Sequence, residues 1–293
     1  MGLRSNPTHR QRRLGSELRK LRVSHGLSAV EAGAHVGLGG PHLSHIEAGR
    51  TAISEEKLRT LTELYGCKSE TFISALAEMT RASRHAWWRA FARDVDDRAR
   101  DLAELEATSR AFGGFETVHI PGLLQTPEYA EELLRACHHD EHRVRRFLEY
   151  RLKRQELLSS ASAPHYHAVV HEAALRMQFV DPEVLRRQLA HLLEVAELPH
   201  VTIQVVPFTS QLLPAVGGPF ILFRGVEAEL DTVYMEHDLG AQFLDEQTHV
   251  SRYSGILHRL SELALPPLAP AEAPRKVTQR DSLGLIQHLL YIQ

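Results

Sequence analysis

The strongest constraint on this chain lies between Ser28 and Gly49, where two short helix-like stretches are punctuated by glycines. Ser28 and Glu31 have the spacing of a capping box, in which a hydroxyl and a carboxylate satisfy two orphan amides at a helix start. That helix runs only to about His35 before Gly37-Leu38-Gly39-Gly40 turns the chain. Pro41, with its fixed φ and missing N–H, suits the first position of the next helix, which carries Leu43 and Ile46 inward and stops at Gly49. Helices this short are marginal in isolation, so they must pack on neighbours. Leu27, Val36, Leu38, Leu43 and Ile46 are the side chains available to hold the pair.

The neighbours can be read on either side. Leu14, Leu18, Leu21 and Arg22 at helical spacing predict a helix over about Thr8–His25, stopped by Gly26. Ser54 caps a fourth helix ending at Gly66, and Ser69 caps a fifth that buries Phe72, Ile73 and Leu76. Two short helices joined by a glycine turn, inside a five-helix bundle, form a helix-turn-helix, the geometry that lays the second helix in a major groove. Its outward candidates are His42, Ser44 and His45, with Ser28 and Ala29 at the start of the preceding helix and Gly40 and Pro41 letting backbone approach phosphates. Arg13, Lys20, Arg22, Arg50 and the other N-terminal arginines are the expected phosphate contacts.

Charge supports two regions with different tasks. Through Ala86 there are 13 Lys+Arg against 8 Asp+Glu, whereas the remainder holds 21 against 29. The first 25 residues carry seven basic groups and one acid, Glu17. Cys67 and Cys137 form no CxxC pair, which speaks against a disulfide framework or a structural zinc and fits a cytoplasmic protein. No apolar run reaches membrane-spanning length, and the N-terminus lacks the apolar core of a signal peptide. The chain divides into residues 1–85, residues 86–265, and a Pro-rich linker with a terminal amphipathic helix over 266–293.

In the second region helices and strands alternate, which predicts a mixed α+β domain behind the all-α bundle. Strands are expected at Phe115–Ile120, Tyr166–His171 and Val201–Val206, with Phe220–Phe223 and Thr232–Glu236 as an antiparallel pair. Helices are expected over Asp94–Arg110, from Thr126-Pro127 to Ala136, and over Glu141–Leu158, Asp181–Leu198, Val250–Ala264 and Asp281–Tyr291. Trp87 and Trp88 sit at the junction, where aromatic burial would staple the two regions together. The last helix must dock on this chain or on a partner.

Catalytic and metal patterns are weak. His138-His139-Asp140-Glu141-His142 reads as a loop between helices, and His165, His167 and His171 as imidazoles of an edge strand. His171-Glu172 opens an HExxH-like string whose second histidine position is Leu175. There is no GxSxG elbow and no GxxxxGK[ST] loop. Neither an enzyme nor a cofactor is expected.

The stretch LGSELRKLRVSHGLS…HVGL…HLSHIEAGR resembles the XRE (Cro/cI repressor-like) family, in which the third helix typically ends in I-E-x-G, here Ile46-Glu47-Ala48-Gly49. The likeness covers roughly residues 10–80, and Leu14, Leu18 and Arg22 fit its first helix. Family members commonly carry Gln near the start of helix two and polar or Arg residues at the start of helix three. Here Ala29 and Gly39-Gly40-Pro41 occupy those places, so base readout must lean on His42, His45 and shape. PGLLQTPEYA (121–130), RLKRQELL (151–158), HEAALR (171–176), QLAHLLEVAELPHVTIQVVPF (188–208), GGPF (217–220) and VYMEH (233–237) are similar to the domain of unknown function found behind XRE domains in actinomycete regulators. That resemblance implies a domain that senses a signal or a small effector, or binds a small partner protein. The expectation is a homodimer on double-stranded DNA that regulates transcription; the alternative is an antitoxin-like interaction module.

Overall fold

The computed structural model describes residues 4–81, 86–210, 217–237, 240–268 and 281–292. The first 80 residues form five helices: α1 (His9–Ser24), α2 (Ala29–His35), α3 (Gly40–Glu47), α4 (Glu55–Leu64) and α5 (Glu70–Thr80). Their starts are built as the sequence predicts. Ser28 and Glu31 close a reciprocal capping box, and Ser54 and Ser69 cap α4 and α5. A second box, Thr8 with Gln11, opens α1. One apolar core joins Leu14 and Leu18 of α1 to Leu43 and Ile46 of α3, Leu58 and Leu61 of α4, and Phe72 and Leu76 of α5.

The rest of the chain is a six-stranded mixed sheet flanked by helices. In chain order come α6 (Asp97–Thr108), β1 (Ala111–Glu116), α7 (Pro127–Cys137), α8 (Glu141–Gln155), β2 (His165–His171), α9 (Pro182–Val195), β3 (Val201–Val206), β4 (Phe220–Arg224), β5 (Thr232–His237), β6 (Gly240–Leu244), α10 (Gln247–Leu263) and α11 (Ser282–Ile292). The strand order is β3-β2-β1-β4-β5-β6, with β1, β2 and β3 parallel and β4, β5 and β6 antiparallel to their neighbours. Parallel neighbours need helical crossovers, which α7 with α8 and then α9 provide. Phe112, Tyr166, Val170 and Tyr234 face the larger core with α9 and α11, while Phe115, Val169 and Val233 face the side that α10 closes.

Several expectations change. β1 begins at Ala111 rather than Phe115, because the Gly113-Gly114 pair weakens the strand signal in the sequence. β6 is a short, half-exposed edge strand without alternation, and the sequence did not announce it. β2 lies between β1 and β3 rather than at an edge, and His167 bonds Gln204 Oε1 across the β2–β3 pair at 2.8 Å. Trp87 and Trp88 do not bridge the regions through their ring contacts; Trp87 packs on Trp88, Phe91 and Tyr150, all within the second region. The terminal helix docks on this chain: Leu283, Ile286 and Leu289 enter the larger core, and Val205 N donates to Ser282 Oγ. Of the linker prolines, Pro270 and Pro274 lie outside the described residues.

Candidate nucleic-acid interface

The helix pair is set by close backbone approach. Gly37 turns at φ +67°, and a Cβ on Gly40 would stand 2.7 Å from Val30 Cγ2. Leu43, Ile46 and Glu47 point into the bundle, leaving Pro41, His42 and Ser44 exposed and His45 half-buried on the outer side of α3. Arg50 is exposed just beyond the helix; exposed Ser28 caps α2 and half-buried Ala29 begins it. Lys20 is half-exposed and holds Glu17 at 2.8 Å.

Three expected contacts are corrected. Gly40 is buried against Val30, so its missing side chain serves helix packing rather than phosphate approach. Arg22 is buried and forks onto Glu47, with Nε to Oε1 at 2.6 Å and Nη2 to Oε2 at 2.9 Å, and its Nη1 donates to Leu27 O. The hydrogen bonds to Glu47 raise its pKa, so the guanidinium is locked in the charged form. Glu47, the acid of the I-E-x-G ending, therefore clamps α3 to α1. Arg13 is 2 % exposed, with Nη1 2.6 Å from Asp245 Oδ1 and Nη2 donating to Glu229 O. A buried, paired arginine has no reach to a phosphate.

The sequence reading missed where the basic start of α1 goes. His9 Nε2 lies 3.1 and 3.2 Å from the two Asp245 oxygens, and its ring stacks on Phe243 at 4.4 Å. His9 N donates to Asp101, Arg10 pairs with Glu104, and Arg12 pairs with Asp101. Asp245 is held well below the usual carboxylate range: His9, Arg13 and the Thr232 hydroxyl overcome the burial that opposes its charge. The available signal was the complementarity between a basic N-terminus and an acidic remainder.

The C-terminal motifs make a second polar cluster inside the fold. Gln125 Nε2 donates to Ile120 O at 2.7 Å, Arg151 donates to Gln125 Oε1 at 2.6 Å, and Gln155 donates to the Gly122 carbonyl. Arg154 pairs with Glu106 at 2.5 Å, and Gln188 ties Thr126 N to Leu124 O. Burial, reinforced by Glu236, pushes Glu116 up to about 7, and burial pushes Arg151 down to about 10. Gln125, Arg151, Gln155 and Gln188 fasten the 120–126 loop to α8 and α9, and Arg154 ties α8 to α6. Asp140 caps α8 by accepting from His142 N, so the histidine-rich stretch forms a helix junction. Among the described residues, no three His, Cys, Asp or Glu side chains are grouped to hold a metal ion. Nor is any helix among them long and apolar enough to cross a membrane.

Two family models match this architecture. One, described as a domain of unknown function (DUF5753), matches residues 99–273, more than half of the chain. The chain belongs to the DUF5753 family. The other, described as a helix-turn-helix domain, matches residues 13–72 and includes α2, α3 and Arg50. No curated protein and no solved structure matches the chain. This DUF5753 protein thus carries an N-terminal helix-turn-helix domain, a fold used to read DNA, ahead of a C-terminal mixed sheet.

Proposed function

We propose that the chain is a non-catalytic, sequence-reading transcriptional regulator of the XRE (Cro/cI-like) kind, working as a homodimer on double-stranded DNA. The observation that carries this reading is the outer side of α3: Pro41, His42 and Ser44 are exposed, with Arg50 exposed just past the helix end, while Leu43 and Ile46 are spent on the core. An imidazole can donate to or accept from base edges, and a hydroxyl can do either. No Arg or Gln on α3 offers a bidentate base contact, so discrimination draws on DNA shape and on two half-sites read together. The C-terminal region would transmit control, from a small effector or a small partner protein, through the contacts that seat α1 upon it.

The test is a gel-shift across salt concentrations with fragments upstream of the protein's own gene and of neighbouring genes. The expected result is tight binding to a subset of fragments, with log affinity falling by about 0.9 per phosphate contacted for each tenfold rise in salt. Absence of salt-sensitive binding to every fragment would sink the reading.

A further inference from the structure

Between the helical bundle and the C-terminal region lies a cavity of about 580 Å³. Its size falls within the range of about 300–1,000 Å³ usual for small-molecule sites, which favour domain boundaries. One wall is the end of α3 and the turn after it, from Ile46 to Ile53; the opposite wall is α6 with the segment carrying Trp88 and Arg89. Leu14, Ile46, Ile53 and Met79 supply apolar surface. Five arginines and three carboxylates supply the charge.

The charges do not cancel. Arg10 is taken up by Glu104, Arg81 by Glu55 and Glu78, and Arg100 by Asp97. Arg89 is exposed and makes no side-chain hydrogen bond or close ion pair among the described residues. Across the gap, Arg4 uses Nη1 on Gly49 O at 3.3 Å and keeps further donors in reserve. Burial pushes Asp101 and Glu104 upward, opposed by His9 and Arg12 at the first and by Arg10 and Arg89 at the second.

We propose that this cavity binds a small amphipathic anion, its carboxylate, sulfonate or phosphate between Arg4 and Arg89 and its apolar body against Ile46, Ile53 and Met79. Arg4 N also donates to Arg50 O at 3.0 Å, so a ligand gripping Arg4 bears directly on the segment that presents Arg50 to DNA. Such a ligand would touch both regions and bias the seat of the reading helix. This consequence rests on the regulatory function proposed above, whereas the ligand site does not.

The experiment uses the full chain and the fluorescent anion anilinonaphthalene sulfonate. Titration should show saturable binding that Arg89→Ala weakens about tenfold, the loss of one charge-assisted contact. Ala52→Trp, which places an indole in the cavity from an exposed position, should abolish it. Arg93→Ala, exposed and outside the cavity lining, is the control and should leave binding unchanged. All variants should keep the native melting temperature. Failure to saturate, or equal binding by native protein, Arg89→Ala and Ala52→Trp, overturns the proposal. Repeating the gel-shift with the probe separates the two ideas: site-dependent binding with unchanged DNA affinity upholds the ligand site and removes the regulatory reading. By reciprocity, an effect on DNA affinity must appear as an equal effect of DNA on probe affinity.

Discussion

The two ends of α1 use the same residue type in opposite ways. At its C-terminal end, Arg22 forks onto Glu47 and holds the first helix to the reading helix, an interaction wholly inside the bundle. At its N-terminal end, Arg13 joins His9 on Asp245 and holds the bundle to the C-terminal sheet. Both arginines look, from charge alone, like phosphate contacts. Which carboxylate the fold sets opposite each one decides its task, and both tasks are internal. The outer side of α3 is correspondingly poor in cations, with Arg50 following it and histidines in place of arginines.

Breaking the local end should have the largest effect. Glu47→Ala leaves the Arg22 guanidinium buried without its carboxylate, at a cost of about 3–5 kcal/mol, which should unfold the bundle in chemical denaturation monitored by circular dichroism. A loss below about 1 kcal/mol would mean that the clamp is dispensable. The middle of the helix gives the next effect. A Cβ on Gly15 would run into the Glu47 carbonyl oxygen, so Gly15→Ala should cost about 2–3 kcal/mol by pushing α1 off α3.

The remote end should be weaker and dependent on pH. Asp245→Asn removes the charge shared by His9 and Arg13, and should cost about 2 kcal/mol in the docking of α1 on the sheet. Because Asp245 is depressed in the folded protein, its contribution is complete above its unfolded value of about 4 and is lost as pH falls through the lower folded value. Amide protection factors at His9–Arg13, measured against the intrinsic exchange rate at each pH, should therefore fall in acid in the native protein and be low already at neutral pH in the variant. Unchanged exchange in Asp245→Asn would show that the apolar contacts alone seat the helix. The smallest effect is on the outer face: Arg50→Ala should reduce the slope of log affinity against log salt by about 0.9 and weaken all DNA sequences alike. His45→Ala should instead lower discrimination between fragments, and equal behaviour of the two variants would erase the distinction between positioning and reading.

The helical bundle was legible because its signals are local. Ser28 with Glu31, Pro41, and the caps Ser54 and Ser69 each act within one turn, and the structure places each at its helix start. In the sheet, Val201–Val206 was legible from its alternation of β-branched residues, and the β4–β5 pair from its two short apolar runs. β1 was misplaced and β6 missed, because a glycine pair and a half-exposed edge carry little of that pattern. At the candidate interface, His42, Ser44 and His45 were read as outward from helical spacing, and the structure leaves the first two exposed and His45 half-buried, whereas Arg13 and Arg22 were read as phosphate contacts and are buried.

The amino-acid sequence by itself determined the helix-turn-helix, since caps, glycine stops and apolar spacing are short-range instructions written within a few residues. It also set a basic start against an acidic remainder, without determining that the two would meet. Only the tertiary structure decided that Arg22 meets Glu47, that Arg13 meets Asp245 across more than two hundred residues, and that a charged cavity opens beside the reading helix. An ion pair is a statement about distance in space, and long-range distances are fixed by packing, after local structure has formed.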